Sequence, residues 1–186
     1  MVSTIIIVIA YIFLQMCVVW ILYRIYNNPS IVDCSWPIGL MIVGLIYLFS
    51  TAISFRKLII ASFLVIWSLR LAVYIGLTRL RFGQVDKRYK ALSSQWKMSQ
   101  SLGFFINFQI QGGLILILSL IFFFISRSMI GTLFYIDFIA IVLILAGIIG
   151  ESIADFQLNH FKQGHHGQVC NQGLWYYSGH PKYFFD

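Results

Sequence analysis

From Thr4 to Tyr23 the chain reads TIIIVIAYIFLQMCVVWILY, without a charged residue, and Arg24 closes the run. About 20 apolar residues at about 1.5 Å rise each cover the hydrocarbon of a bilayer. Four more such runs follow: Pro37 to about Phe55, Leu58 to about Leu77, Leu102 to Ile125, and about Leu133 to Gly150. In hydrocarbon the backbone must satisfy its own N–H and C=O groups, which a helix does. The expected fold is therefore all-α: a multi-pass transmembrane bundle of about five spans, one domain over residues 1–186, with a polar cytosolic loop and C-terminal tail. Composition agrees, since 60% of the residues are hydrophobic and 10% charged, against about half and about a quarter in soluble domains.

The net charge of +7 does not point to nucleic acid. Basic residues gather beside the apolar runs, where the positive-inside rule accounts for them, and no soluble stretch is long enough to present a basic face. Cys17, Cys34 and Cys170 have no regular spacing and give no disulfide framework. Cys170 with His160, His165, His166 and His180 matches no zinc finger or ribbon, so no metal is expected. The first run lacks a basic leader and is too long for a cleaved signal, so it reads as a span.

Between the runs, Asn27-Asn28-Pro29-Ser30 breaks the first helix. Pro37 suits the first turn of the second, with Ser35 or Trp36 as its cap and Trp36 at the interface. Arg56-Lys57 reads as a short hairpin loop. Arg70 interrupts the third span, where a guanidinium costs at least about 2.5 kcal/mol unless it faces protein or water or snorkels to the nearer surface. The long polar loop from Arg79 to Gln100 sets Arg79, Arg81, Lys87, Arg88, Lys90 and Lys97 against Asp86. With Tyr89 and Trp96 it suits the headgroup layer and could meet anionic lipid or a phosphate-bearing ligand. Asn107, Gln109 and Gln111 need partners inside the bundle, and Gly112-Gly113 permits close helix contact. Five spans put Arg24, the Arg79–Lys97 cluster, Lys162 and Lys182 on one side, with Arg56, Lys57 and Arg127 on the other. The richer side should be cytoplasmic, with the N-terminus outside and the C-terminal tail in the cytosol.

The tail from Glu151, ESIADFQLNHFKQGHHGQVCNQGLWYYSGHPKYFFD, is where polar chemistry concentrates. A helix continuing the fifth run would align Glu151, Asp155, Leu158 and Lys162 in one stripe. Gly164 would end it, His165, His166, Asn171 and Gly173 would form a polar loop, and Leu174–Tyr177 turn aromatic again. This is either a solvated juxtamembrane tail or a ligand site at the membrane surface. There is no GxGxxG after a strand, GxxxxGK[ST], GxSxG or HExxH, so a nucleotide would have to sit among helix ends. A pyrophosphate would want Arg88, Lys162 and Lys182, a ribose Glu151 and Asp155, and a flat ring Trp175, Tyr177 and Tyr183. Headgroup anchoring and local pairing are the plain alternatives for each.

Several stretches taken together resemble the steroid 5α-reductase-like membrane family, in particular its DUF1295-type branch. They are Val32-Asp33-Cys34-Ser35-Trp36-Pro37, Trp67-Ser68-Leu69-Arg70-Leu71, Asp86-Lys87-Arg88-Tyr89, Glu151 to Gln157, Gly173 to Ser178, and His180-Pro181-Lys182-Tyr183. The resemblance implies an all-helical membrane oxidoreductase that uses NADPH to reduce a C=C bond in a lipid- or steroid-like enone. It implies a cofactor site formed by Arg88, Tyr89, Glu151, Asp155, Lys162, Tyr177, His180, Lys182, Tyr183 and Asp186. Asp33 is a candidate for substrate contact and Arg70 for organising the site, while the catalytic acid is not assigned.

The family's last motif resembles Arg-His-Pro-Asn-Tyr-Phe-Gly-Glu. Gly179 stands here in place of the Arg and Lys182 in place of the Asn, and Lys182 offers a phosphate only a point charge. The family continues into further apolar helix after the motif, whereas this sequence stops at Asp186. A fragment, or a protein without full activity, is the resulting expectation. The alternative enzyme is an S-adenosylmethionine-dependent membrane methyltransferase of the isoprenylcysteine or phospholipid type, which shares an -HPxY- motif. Glu151-x3-Asp155-x-Gln157 favours the reductase. A non-catalytic truncated membrane protein is the third reading. Transport is disfavoured, because Asp137 and Arg70 are too few polar groups and no pair of interrupted helices occurs.

Overall fold

The computed structural model describes residues 2–80, 86–128, 131–164, 168–179 and 181. The described residues form helices and turns without a strand, and five helices are long and apolar enough to cross a membrane. The protein is an all-α integral membrane protein. It packs as two compact units, residues 1–132 and 133–186.

In the first unit, α1 (Val2–Tyr26), α2 (Ile31–Phe49), α3 (Phe55–Ile75) and α5 (Gln100–Arg127) are the long helices, and α4 (Lys87–Ser93) is a short one. A π-helical turn, Gly76–Leu80, extends α3. The central helix is α2, which packs on α1, α3 and α5. On α1 the buried residues are Val8, Ile12, Met16, Val19 and Tyr23, spaced as one helical stripe. They meet Leu40, Val43 and Tyr47 of α2 and Phe104, Phe108 and Ile115 of α5 in one core. The opposite face of α1, with Ile6, Phe13, Leu14, Val18 and Ile21, is apolar and exposed. Helices apolar all round suit a bilayer, whose lipid covers what the bundle leaves bare.

Small residues set how closely the helices approach. A methyl group on Gly44 would stand 2.5 Å from Leu64 Cδ2, and one on Gly112 would stand 2.9 Å from Ile12 Cγ2. Of the Gly112-Gly113 pair, only Gly112 makes the close contact, because Gly113 faces open space.

Three sequence expectations are corrected here. The second helix starts at Ile31, so Pro37 lies inside it and Ser30, not Ser35 or Trp36, is the N-cap. The first turn instead closes with three-residue bonds, 3.2–3.4 Å long, from the Ile31, Val32 and Asp33 N–H groups to the carbonyls of Asn28, Pro29 and Ser30. An internal proline leaves the Asp33 carbonyl without its helical partner; close by, Gln15 Nε2 of α1 donates to Ser35 O at 2.8 Å and ties α1 to this part of α2. The second helix also ends at Phe49, and the hairpin is residues 50–54 rather than Arg56-Lys57. Ser54 Oγ caps α3 by accepting from Lys57 N. Lys57 is buried, and its ammonium donates to Thr51 Oγ1 at 2.7 Å, Ser126 O at 2.8 Å and Ala52 O at 2.9 Å. All three of its protons are used, and its charge sits at the carbonyl end of α5, where a cation is favoured. Thirdly, the long polar loop contains α4, capped by Asp86, whose carboxylate accepts from Arg88 N at 2.9 Å.

In the second unit α6 runs unbroken from Tyr135 to Gly164, so the fifth span and the stripe from Glu151 to Lys162 are one helix, as the spacing predicts. After it the chain folds back. Gly173 takes φ +59°, a left-handed conformation that glycine adopts freely, with the Gln157 side chain packed against its Cα. Leu174 N then donates to Gln157 Oε1 and Trp175 Nε1 to Ala154 O, both at 2.9 Å, seating the single turn α7 (Leu174–Tyr177) on α6.

Two substitutions test this packing. Lys57→Met should lower unfolding stability in detergent by about 1–3 kcal/mol, since it strands buried acceptors. Gly112→Leu should cost a similar ~1–3 kcal/mol through overpacking against Ile12 and Met16, while Gly113→Leu leaves the melting temperature nearly unchanged. Equal effects at the two glycines would contradict the α1–α5 contact.

Candidate functional site

The connection from α1 to α2 builds the floor of a polar cluster. Asn27 takes φ 52°, which asparagine tolerates, and Asn28 Oδ1 accepts from Ser30 N at 3.0 Å. Asn28 and Ser30 are both buried, and Ser30 Oγ accepts the N–H of Asp86 at 3.2 Å. This bond ties the start of α4 to the start of α2. Beside it Tyr89, 7% exposed, turns inward from α4 and packs edge-on against Phe104. Phe104 also carries Trp96 and Tyr23, with ring centroids at 4.8 and 4.7 Å, so an aromatic stack anchors α4 to the bundle. Gly103 leaves the room that the Trp96 ring fills.

Tyr89 Oη donates to Asp33 Oδ1 at 2.7 Å. Gln111 Nε2 donates to Asn107 Oδ1 at 3.1 Å and approaches Tyr89 Oη at 3.5 Å. On the outer side, Arg88 donates from Nε and Nη2 to Asp86 Oδ2 at 3.1 and 2.8 Å, and Nη2 lies 3.5 Å from Asp33 Oδ2. Burial, and then the neighbouring Asp33 carboxylate, push the Tyr89 phenol well above the ordinary tyrosine range. The hydrogen bonds to Asp86 raise the Arg88 guanidinium as well. Tyr89 is thus a neutral donor at physiological pH, and Arg88 a fixed cation.

A cavity of about 260 Å³ opens beside this cluster, lined by Asp33, Trp36, Pro37, Leu71, Ile75, Arg88 and Gln111. Its walls come from α2, α3, α4 and α5, all in the first unit. The misplaced proline matters here: Pro37 follows Asp33 by one turn, has no N–H to give to the Asp33 carbonyl, and presents its ring to the cavity. Its lining joins polar Asp33, Arg88 and Gln111 to apolar Trp36, Pro37, Leu71 and Ile75, a mixture suited to the polar end of an amphiphile.

The cavity shares its residues with a family match. Residues 19–186 match the family described as a protein of unknown function, DUF1295. The chain belongs to the DUF1295 family. No curated protein and no solved structure matches it. In this DUF1295 protein the matched region contains the whole Asp33–Tyr89 cluster.

Of the residues singled out from sequence, Asp33, Arg88 and Tyr89 come together. Arg70 lies on α3, half-buried, next to the cavity-lining Leu71 but not itself in the lining. In the second unit Glu151 and Asp155 are buried, each 4% exposed, one turn apart on α6, while Lys162 and Tyr177 are exposed. His180, Lys182, Tyr183 and Asp186 lie outside the described residues. Sequence reading missed Gln111 as a site residue, although an amide in mid-span signals a buried partner. It also missed Ser30 and Asp86, whose roles depend on a contact across 56 residues.

The phenol gives a pH test. The unfolded chain ionises Tyr89 near pH 10, whereas the folded protein keeps the proton to higher pH. Folded protein therefore binds more protons there, and stability from this group is intact below about pH 10 and lost as pH rises beyond it. The melting temperature of Tyr89→Phe should be lower than that of the unmodified protein at neutral pH, with the gap closing at strongly alkaline pH. A gap independent of pH would show that the phenol does not hold its proton as described.

Proposed function

We propose that this DUF1295 protein is a membrane-embedded, NADPH-dependent reductase of a C=C bond in a lipid- or steroid-like enone, related in activity to the steroid 5α-reductase-like enzymes. The observation that carries the reading is a cavity within the membrane bundle whose lining joins Asp33 and Gln111 to the apolar Trp36, Leu71 and Ile75, with the protonated phenol of Tyr89 held directly behind Asp33 and Gln111. An enone needs that combination: an apolar wall for its body and a hydrogen-bond donor for its oxygen.

The substrate's apolar body lies against Trp36, Leu71 and Ile75, and its carbonyl oxygen turns toward Gln111 and Tyr89. Rotation about one C–O bond swings the Tyr89 proton from Asp33 to that oxygen, while Arg88 continues to neutralise Asp33. Tyr89 and Gln111 then stabilise the negative charge that grows on oxygen as the β-carbon is reduced. NADPH, when bound, would supply the hydride for the β-carbon, and a solvent proton would complete the saturated carbonyl.

The cavity of about 260 Å³ is smaller than the roughly 300–1,000 Å³ of sites that enclose a whole small molecule, so a dinucleotide is held elsewhere. The chemistry of the second unit fits part of one. Glu151 and Asp155 are buried carboxylates that suit ribose hydroxyls, Lys162 is an exposed cation, and Tyr177 is an exposed ring. In this reading His180, Lys182, Tyr183 and Asp186 complete the grip. The substrate reaches the cavity from the membrane lipid. The basic end of the bundle, with Arg24, Arg88 and Lys90, faces the cytosol with the tail, and the N-terminus lies outside.

Purified full-length protein in nanodiscs, given NADPH and an enone-bearing lipid, should consume NADPH and form the saturated product in equal amounts. Tyr89→Phe should lower kcat by about 10²-fold or more with little change in KM. Photoreactive NADPH should crosslink in the tail near His180 and Tyr183. Methyl transfer from S-adenosylmethionine without any binding of NADPH would overturn the reductase reading in favour of the methyltransferase.

A further inference from the structure

The lining of the cavity carries a pattern of charge that bears on which ligands can enter it. Asp33 lines the cavity with its side chain 16% exposed, so a carboxylate stands where the polar end of a ligand arrives. Among the described residues the cation in the lining is Arg88, and its Nε and Nη2 are already given to Asp86, with Nη2 also close to Asp33. That pair of donors is the fork with which a guanidinium grips a carboxylate or phosphate. Asp86 is held in place at both ends: its Oδ1 caps α4, and its N–H donates to buried Ser30. The remaining polar lining is the neutral amide of Gln111, backed by the neutral phenol of Tyr89.

We infer that the cavity selects amphiphiles by the charge of their polar end, admitting an uncharged end and turning away carboxylates and phosphates, with Asp86 as the residue that sets the selectivity. An anion would meet Asp33 in partly apolar surroundings, where like charges repel more strongly than in water. It would also find the Nε–Nη2 edge of Arg88 occupied by Asp86. An uncharged carbonyl or hydroxyl end finds a donor in Gln111 and an acceptor in Asp33. The inference rests on the proposed function only in taking this cavity as the place for the substrate's polar end. It does not depend on NADPH.

The test is competition against a radiolabelled long-chain methyl ketone bound to the protein in nanodiscs of zwitterionic lipid. The competitors share its alkyl chain and end in a ketone, a carboxylate or a phosphate monoester. The two anions should bind at least about tenfold more weakly than the ketone. Asp86→Asn keeps an N-cap acceptor but removes the charge that holds Arg88, so it should strengthen anion binding and bring the gap to within about threefold. Anions that match the ketone on the unmodified protein would overturn the inference, as would a folded Asp86→Asn variant with the gap unchanged. If Asp86→Asn does not fold, the competitor series on the unmodified protein decides alone. The two readings fail separately. Selective ketone binding without turnover would sink the reductase and leave the selectivity, whereas NADPH-dependent reduction of an acid-headed enone bound as tightly as the ketone would do the reverse.

Discussion

A polar group placed in lipid has no water to fall back on, and this constraint shapes most of the first unit. Backbone amides meet it by forming helices, and side chains meet it by finding one another. Lys57 shows the principle at one end of the bundle, where three oxygens from the hairpin and α5 receive its three protons. Gln15 shows it in mid-bundle, serving a carbonyl of the proline-containing helix. At the other end Asp33, Tyr89 and Gln111 form a chain of side chains that joins α2, α4 and α5. The same rule thus accounts for a structural clasp and for the candidate site.

The two ends differ in what surrounds the polar groups. The ammonium of Lys57 is closed off by its partners in a buried site, a sign of architecture. Asp33 instead lines a cavity, with Tyr89 bonded behind it, and Pro37 of the same helix shares that lining. Polar groups satisfied by one another yet bordering empty space can exchange a partner for a ligand at small cost. That is the physical basis for reading this end as the working one. It also explains why α4, only seven residues long, is stable: so short a helix is marginal alone, and here Tyr89 is wedged among aromatic rings while Asp86 is tied to Ser30.

Lipid-facing surface carries little information about partners in such a protein. Ile6, Phe13 and Leu14 of α1 or Ile117 and Phe124 of α5 would mark a docking patch on a soluble domain, but on a membrane helix the bilayer covers them. Information sits where the pattern breaks: a mid-span Gln111, an internal Pro37, a buried Lys57, and an α6 whose second half turns polar and buries Glu151 and Asp155.

The number and character of the spans, the need for partners at Asn107, Gln109 and Gln111, and the unbroken helix through Glu151 and Lys162 all followed from the sequence. Each depends on local apolarity and on helical periodicity, which a single segment carries within itself. The helix start at Ile31 did not follow, because it depends on Asn28 and Ser30 being buried beside a segment far along the chain; nor did the end at Phe49, where Ser50 bonds back to Tyr47. Nor did the burial of Lys57, since its charge alone suggests a loop and only the hairpin carbonyls and Ser126 make the interior acceptable. The sequence marked Asp33, Arg88 and Tyr89 as residues worth noting one by one. Only the packing of α4 across the helix ends could make them a site, because a hydrogen bond between residues 33 and 89 is a property of the fold and leaves no local periodicity to read.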